Sequence, residues 1–129
     1  AEYKEAIKIK DDYLDALNNL ANLYMKKQRY TESIELLKRC LNIEPFNINT
    51  NYNIGIALNE VGKYDEAIFY LERVVANNPN YKEAYNNIGV SYALKGNKEK
   101  AMEYWRKALS IDPDFTDAKT NLERTKSMR

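Results

Sequence analysis

The sequence contains no histidine and a single cysteine, Cys40. Without histidine the chain lacks the usual general base, the Ser-His and Cys-His nucleophile pairs, and the histidine ligands of catalytic zinc. One cysteine can form neither an internal disulfide nor a paired-cysteine metal site. The sequence also has no glycine loop of the kind that binds phosphate and no cluster of metal ligands. We therefore predict a non-catalytic chain that needs no cofactor.

The chain also lacks an excess of charge of one sign, with 20 Lys and Arg against 19 Asp and Glu and a net charge of +1. Nucleic-acid binders concentrate positive charge on one face, so no nucleic-acid partner is predicted. No apolar run reaches about 18 residues, so we predict no membrane span. No signal-peptide pattern opens the chain. The expected location is cytoplasmic, unless targeting signals lie outside this chain.

What the chain does have is an internal repeat. Its three prolines, Pro45, Pro79 and Pro113, are spaced 34 residues apart. Other columns share this period, among them Leu20, Ile54, Ile88 and Leu122; Ala21, Gly55 and Gly89; Ser33, Ala67 and Ala101; and Leu37, Leu71 and Trp105. A fixed period of this length is the signature of a stacked repeat architecture. The expected fold is all-α, a solenoid of antiparallel helix pairs.

Helical periodicity divides each repeat into two helices. Leu17, Leu20, Ala21 and Tyr24 fall at i, i+3, i+4 and i+7, which is one face of an amphipathic helix. Each proline ends a second helix because it lacks the amide donor and disfavours helix in the residue before it. The predicted first helices are 14–27, 48–61 and 82–95, the second helices are 31–44, 65–78 and 99–112, and a fourth first-type helix is 116–127.

These helices form one predicted domain over residues 1–129. It comprises a partial leading repeat (1–13), three full repeats (14–47, 48–81 and 82–115) and a C-terminal capping helix (116–129). Small residues at Gly55 and Gly89 should let the paired helices approach closely, whereas Glu123 in the same column fits a polar cap. Residues 1–10 resemble a second helix without its first helix, with Asp11 in place of proline. The chain being cut from a longer array is the preferred interpretation, and a neighbouring copy that supplies the missing helix is the alternative.

The stretch from Ala84 to Pro113, AYNNIGVSYALKGNKEKAMEYWRKALSIDP, resembles the tetratricopeptide repeat, and so does NYNIGIALNEVGKYDEAIFYLERVVANNP, which ends at Pro79. The resemblance covers nearly the whole chain, with departures at Ser33, Cys40 and Val74 in usual alanine positions. It implies a right-handed superhelix that serves as an interaction scaffold. Partner peptides would then bind on a concave face lined by the first helices.

On the predicted first helices, one stripe lies opposite the packing stripe. The candidate peptide-binding residues on this stripe are Asn18, Asn19, Asn22, Tyr52, Asn53, Ile56, Asn86, Asn87, Val90 and Asn121. One column is uniform, with asparagine at 19, 53, 87 and 121, and a carboxamide can pair with both the N–H and the C=O of a peptide. This column resembles the asparagine ladders of the O-linked N-acetylglucosamine transferases. Local bonding between adjacent repeats is the alternative interpretation.

A second mode of the family is the clamp that binds acidic C-terminal tails of heat-shock chaperones. Asn22 and Asn53 fill its two asparagine positions, but its three cationic positions hold Asn18, Glu83 and Asn87. A dicarboxylate would meet no cation there, so a chaperone tail is disfavoured. The edge column of Asp15, Asn49, Glu83 and Asp117 is acidic to neutral and suits a basic or neutral extended segment.

The expected function is therefore non-catalytic recognition of a peptide segment of another protein. One alternative is a self-associating scaffold that assembles through the N-terminal half-repeat. Another is the recognition domain of a larger enzyme, such as an O-linked N-acetylglucosamine transferase. Fold alone does not name the partner.

Overall fold

The computed structural model describes residues 2–128, so residues 1 and 129 of the predicted leading repeat and capping helix lie outside it. This part of the chain forms seven α-helices and no strand. The helices are α1 (Glu2–Lys26), α2 (Tyr30–Ile43), α3 (Ile48–Glu60), α4 (Tyr64–Asn77), α5 (Lys82–Leu94), α6 (Lys98–Ile111) and α7 (Thr116–Ser127). Each helix packs against the next along the chain, and the first helices α3 and α5 also touch. The fold is the predicted all-α solenoid.

Six of the seven helices agree with the sequence-based boundaries to within one residue at each end. The second helices α2, α4 and α6 each end two residues before a proline, at Ile43, Asn77 and Ile111. The physical reason is the one anticipated: proline cannot donate to the helix, and it pushes the residue before it out of the α region. The first helix of the following repeat then starts within three residues of the proline.

The prediction for the N-terminal segment is wrong in one respect. Residues 2–13 do not form a separate helix, because α1 runs without interruption for 25 residues from Glu2 to Lys26. Asp11, unlike the prolines at equivalent positions, keeps its backbone N–H and has no ring to clash with the preceding turn. Nothing in the local sequence therefore ends the helix, and the predicted break near residue 13 is absent.

The small columns are confirmed as close contacts between paired helices. A Cβ added at Gly55 would lie 2.5 Å from Leu71 Cγ, and one at Gly89 would lie 2.5 Å from Trp105 Nε1. Ala67 and Ala101 are fully buried, as is Ser33, whose hydroxyl donates to the Ala21 carbonyl at 3.0 Å. Leu20 departs from the predicted packing stripe, since 40% of it is exposed. No described element covers that side of α1.

The turns that follow α1, α3 and α5 each contain a residue with positive φ. Gly62 and Gly96 supply it with φ of 84° and 91°, but in the first turn the position is occupied by Gln28, with φ of 60°. All three turns share one hydrogen bond, in which the amide after this residue donates to a carbonyl five residues earlier, as Arg29 does to Tyr24 at 2.8 Å. An L-residue with a Cβ costs about 1–2 kcal/mol in this conformation.

We therefore predict that Gln28→Gly raises the free energy of unfolding by up to about 1 kcal/mol. Glycine adopts positive φ without steric cost, although its greater freedom in the unfolded chain offsets part of the gain. Urea denaturation followed by circular dichroism measures the change. Gln28→Ala retains the Cβ and is the matched control, for which no gain is expected. A less stable glycine variant would contradict the prediction.

Candidate functional site

The candidate residues lie on one side of the first helices, which we call the groove face. Asn19 and Asn22 of α1 are exposed. The others are partly buried, except for Asn86, which is 8% exposed. The partly buried set is Asn18, Tyr52, Asn53, Ile56, Asn87, Val90 and Asn121. The groove face is therefore open at α1 and more closely packed towards α7.

A pocket of about 400 Å³ opens on this face between α1, α3 and the start of α5. We call it the groove pocket, and its lining residues are Asp15, Asn18, Asn22, Asn47, Asn49, Tyr52, Asn53 and Tyr81. The lining combines five carboxamides with two tyrosine rings and a single carboxylate. Four of the candidate residues meet here, namely Asn18, Asn22, Tyr52 and Asn53. The others do not line this pocket.

Four residues of the groove pocket are absent from the candidate set. Asp15 and Asn49 belong to the predicted edge column, whereas Asn47 and Tyr81 were not predicted at all. Both precede a first helix and act as its N-terminal flanking residue, Asn47 for α3 and Tyr81 for α5. The side-chain oxygen of Asn47 accepts a hydrogen bond from the Thr50 amide at 3.0 Å. The signal that could have found them is their position two residues after Pro45 and Pro79 in the repeat, where the chain crosses to the next first helix.

The two tyrosines of the groove pocket form an aromatic pair. Their ring centroids are 5.0 Å apart and the rings are inclined by 39°. The Tyr52 hydroxyl also accepts a hydrogen bond from Asn87 Nδ2 at 3.1 Å. This pair joins α3 to the start of α5 and gives the pocket an apolar wall. Aromatic pairs of this kind prefer offset or tilted arrangements, as seen here.

Carboxylates near Tyr52 make the electrostatic potential at its hydroxyl negative. Burial raises the pKa of the Tyr52 hydroxyl to about 12. Repulsion from Tyr81, which is itself neutral at physiological pH, and the carboxylates of Glu83 and Asp117 add to the rise, while the bond from Asn87 opposes it. The hydroxyl is therefore protonated throughout the physiological range and can both donate and accept. Because the neighbouring charges are acidic, a cation placed near Tyr52 would be favoured over an anion.

The asparagine column makes hydrogen bonds between adjacent first helices. Asn53 Nδ2 donates to Asn22 Oδ1 at 3.3 Å, and Asn121 Nδ2 donates to Asn86 Oδ1 at 3.1 Å. Together with the bond from Asn87 to Tyr52, three of the four members thus use their amide donors within the fold. Within residues 2–128, no hydrogen bond reaches the side-chain oxygens of these three asparagines. The three side-chain oxygens therefore remain available to a ligand, as does the second N–H of Asn53 and of Asn121, whereas Asn87 uses both of its N–H groups.

Asn86 and Val90 contribute more to helix packing than to an open surface. The Asn86 side chain is bonded to Asn121, and its backbone carbonyl accepts from Trp105 Nε1 at 3.1 Å. Val90 packs against the core cluster around Trp105 and Ala118. Asn86, a candidate groove residue, is therefore nearly buried, and its contact with a peptide stays a prediction. The neighbouring helix α7 contacts this side chain through the hydrogen bond from Asn121.

A polar contact outside the predicted set joins α3 to α5 beyond the groove pocket. The Ser91 hydroxyl donates to Asn59 Oδ1 at 2.6 Å, and Asn59 Nδ2 donates to the Asn87 carbonyl at 3.3 Å. Ser91 is fully buried and Asn59 nearly so. This contact fixes the spacing of the two helices on which Tyr52 and Asn87 lie. Sequence reasoning placed neither residue at an interface.

The described residues contain no group of three or more acidic, cysteine or histidine side chains placed to hold a metal ion. Among the same residues, no helix combines the length and the apolar character needed to cross a bilayer. Cys40 is buried, and burial raises the pKa of its thiol, so the thiolate is disfavoured. The chemistry available on the groove face is hydrogen bonding, aromatic contact and negative potential.

Comparison with known protein families gives two matches, both described as tetratricopeptide repeat, over residues 12–78 and 83–115. No curated protein matches the chain. Among solved structures, the chain is similar to the first TPR of Spaghetti (RPAP3) bound to HSP90 peptide SRMEEVD, with a TM-score of 0.83 and 23% identity over 89% of this chain and 91% of that one.

Two further solved structures are similar at somewhat higher identity. MamA gives a TM-score of 0.83 and 28% identity over 95% of this chain and 72% of that one. YrrB, described as a TPR protein with an unusual peptide-binding site, gives a TM-score of 0.83 and 28% identity over 85% of this chain and 57% of that one. All three structures have the helical-repeat fold described above.

Proposed function

Because this chain belongs to the tetratricopeptide-repeat family, we propose that it is a non-catalytic interaction module that binds an extended peptide segment of a partner protein along the groove face. The observation that carries the proposal is the groove pocket, in which five carboxamides and two tyrosines meet. Carboxamides can pair with a peptide backbone whatever its sequence, and tyrosines offer apolar area with a polar end. The proposed contact residues are centred on Tyr52 and Asn53.

Similar structures support peptide binding by this architecture. The first TPR of RPAP3 is bound to a peptide, and YrrB is described as having a peptide-binding site. In the present chain the groove pocket opens beside the asparagine column. A peptide in that pocket would therefore run past Asn22 and Asn53. Its N–H groups could donate to the side-chain oxygens of Asn53 and Asn87, which accept no hydrogen bond within residues 2–128.

The asparagine column alone is too weak to hold a peptide. Each net hydrogen bond contributes about 0.5–1.5 kcal/mol, whereas micromolar affinity requires about 8 kcal/mol. Three of the four asparagines in the column also donate a side-chain hydrogen bond within the fold. Side-chain burial must supply the rest, and Tyr52 and Tyr81 are the largest apolar surfaces in the groove pocket. We propose that the ligand inserts one side chain against this pair.

The inserted side chain is proposed to be basic or neutral. The lining of the groove pocket includes Asp15 but no lysine or arginine. Glu83 and Asp117 add negative potential at Tyr52. A lysine or arginine side chain would be attracted by these charges and could lie over a tyrosine ring. An acidic chaperone tail would meet Asn18, Glu83 and Asn87 where the family's clamp has cations, and is not the proposed ligand.

The test is selection of a displayed random-peptide library on the purified chain, followed by fluorescence anisotropy of the enriched sequences. We predict enrichment of lysine and arginine. Tyr52→Ala should raise the Kd of an enriched peptide by about tenfold or more, equivalent to about 1.4 kcal/mol. The variant removes both the wall of the groove pocket and the hydroxyl that bonds Asn87, so the affinity of the peptide should fall.

Tyr104→Ala is the matched control. Tyr104 is also a partly buried tyrosine with its pKa raised to about 12 by burial and by Glu72, but it lies on the second helix α6, where it donates to Glu72 at 3.2 Å. Both variants must first retain the helicity and cooperative melting of the parent. Equal losses of affinity for the two variants would place the site elsewhere. Tighter binding of SRMEEVD than of its charge-reversed form SRMKKVK would contradict the proposed preference.

A further inference from the structure

Helix α1 carries an exposed apolar stripe that plays no part in the groove face. Its members recur at alternating spacings of three and four residues, namely Ala6, Ile9, Tyr13, Ala16, Leu20 and Leu23. Ile9 is 68% exposed, Leu23 47% and Leu20 40%. We call these six residues the α1 seam. No described element of the chain covers it.

The same positions of the later first helices are buried. Leu20 corresponds to Ile54 and Ile88, and Ala16 to Thr50 and Ala84, all of which are at most 1% exposed. In α3 and α5 this side of the helix packs against the preceding repeat. The α1 seam is therefore the counterpart of an interface that the chain builds twice within itself. On α1 this surface is exposed to solvent within the described residues.

One seam position differs in size from its counterparts. Leu23 corresponds to Ala57 and Ser91, which are both fully buried. These small residues suit the close contact between repeats, whereas Leu23 is a larger apolar side chain left 47% exposed. A leucine there would overpack the contact that Ala57 and Ser91 make. The α1 seam thus fits a partner helix at a greater distance than an ordinary preceding repeat.

The spacing of the α1 seam is that of a coiled coil. Apolar residues in a strict three-four alternation over nearly three heptads keep one side of a helix facing a partner helix. Ala6, Tyr13 and Leu20 take one core position of the heptad, and Ile9, Ala16 and Leu23 take the other. A separate stripe of α1 packs against α2, and it includes the buried residues Leu14, Leu17 and Ala21. Helix α1 therefore has two apolar sides, of which one is occupied.

The flanking charges favour a second copy of the same helix. In a parallel pair, Glu5 lies at the heptad position that faces Lys10 of the other copy, and the symmetry of the pair repeats this contact. At the other end of the solenoid, the outer side of α7 is exposed and charged at Lys119, Glu123 and Lys126. A head-to-tail chain of copies would have to bury those charges, whereas a two-fold contact through α1 closes on itself.

We propose that the α1 seam joins this chain to a second copy of itself in a parallel, two-fold symmetric coiled-coil contact. The test is sedimentation equilibrium of the parent from about 1 to about 200 µM, since self-association makes the mass depend on concentration. The parent should approach twice its 15.1 kDa mass. The double variant Ile9→Glu, Leu23→Glu should remain at the mass of one chain over the same range.

Leu94→Glu is the matched control, because Leu94 is also an exposed leucine, 54% accessible, but lies at the end of α5. It should retain the parent mass. Circular dichroism checks that both variants keep the helical content of the parent. A parent that stays monomeric at the highest concentration would overturn the proposal, as would a double variant with an unchanged dimer mass. Either result would mean that a second copy of the chain does not bind the α1 seam.

A cysteine placed in the α1 seam tests the parallel orientation. Ala16→Cys should give a disulfide-linked dimer under mild oxidation with diamide, because identical core positions face each other in a parallel pair. Cys40 is 2% exposed and should not compete. Asp11→Cys, on the far side of α1 from the seam, is the control that should stay uncross-linked. Dimer mass without a disulfide in Ala16→Cys would overturn the parallel arrangement.

Discussion

Trp105→Ala is expected to lower the free energy of unfolding by about 3–5 kcal/mol, the range for removal of a large buried aromatic side chain. Trp105 is 3% exposed and lies between Ala101, Ala108 and the helices α5 and α7. Its Nε1 donates to the Asn86 carbonyl at 3.1 Å, so the variant also loses a buried hydrogen bond. Equilibrium urea denaturation followed by circular dichroism measures the loss.

Phe69→Ala provides the comparison for this prediction. Phe69 is another large aromatic residue on a second helix, α4, but 54% of it is exposed. Its removal should lower the free energy of unfolding by no more than about 1 kcal/mol, because it loses only surface contacts with Arg73 and Tyr70. A loss below about 1 kcal/mol for Trp105→Ala would show that the third repeat can collapse around the missing ring, and it would contradict the assignment of Trp105 to the core.

The helix boundaries could be predicted from the sequence wherever a residue ends a helix for a local reason. Pro45, Pro79 and Pro113 stop α2, α4 and α6, and glycines at 62 and 96 supply the positive φ of two turns. The predicted helix boundary near residue 13 was wrong because no proline or glycine ends the helix there. Asp11 leaves α1 uninterrupted, and the repeat pattern alone could not reveal this because its columns describe packing partners, not chain continuity.

Exposure of the α1 seam was missed for a related reason. Leu20 occupies an apolar column on the packing stripe, so the pattern predicted burial, and the other members of the column, Ile54, Ile88 and Leu122, are indeed buried. Burial of a repeat residue depends on its neighbour as well as on itself, and no described element packs on that side of α1. The same dependence applies to Asn86, which is equivalent to Asn18 in the repeat but is 8% exposed and bonded to Asn121 of the next first-type helix.

On the groove face, the sequence could predict which side chains share a surface, because helical periodicity determines it. It could not predict how those side chains bond, because the bonds of Asn53, Asn87 and Asn121 depend on distances between helices. The two interpretations of the asparagine column are therefore not exclusive. The donors hold neighbouring repeats together, and the acceptors are the part that a peptide is proposed to use.

Gly89→Ala is expected to destabilise the chain although alanine is a better helix former. Alanine gains about 1 kcal/mol of helix propensity over glycine. Against this, its Cβ would lie 2.5 Å from Trp105 Nε1 and 2.7 Å from Trp105 Cδ1. Trp105 is held by its hydrogen bond to Asn86 and cannot move freely, so the overpacking cost of about 1–3 kcal/mol should exceed the gain. Urea denaturation is expected to show a net loss of about 1 kcal/mol.

The first repeat suggests how this loss can be compensated. There the equivalent pair is Ala21 with Leu37, both fully buried, so the first repeat accommodates a Cβ opposite a leucine. In the second repeat the helices are closer, since a Cβ at Gly55 would lie 2.5 Å from Leu71 Cγ. In a Trp105→Leu background, Gly89→Ala should therefore cost less than it does in the parent, or should stabilise the chain. A double-mutant cycle measures this coupling, which is about 0.5–3 kcal/mol for residues in contact. Additive effects would mean that α5 and α6 move apart in Gly89→Ala, and that the small column does not set their separation.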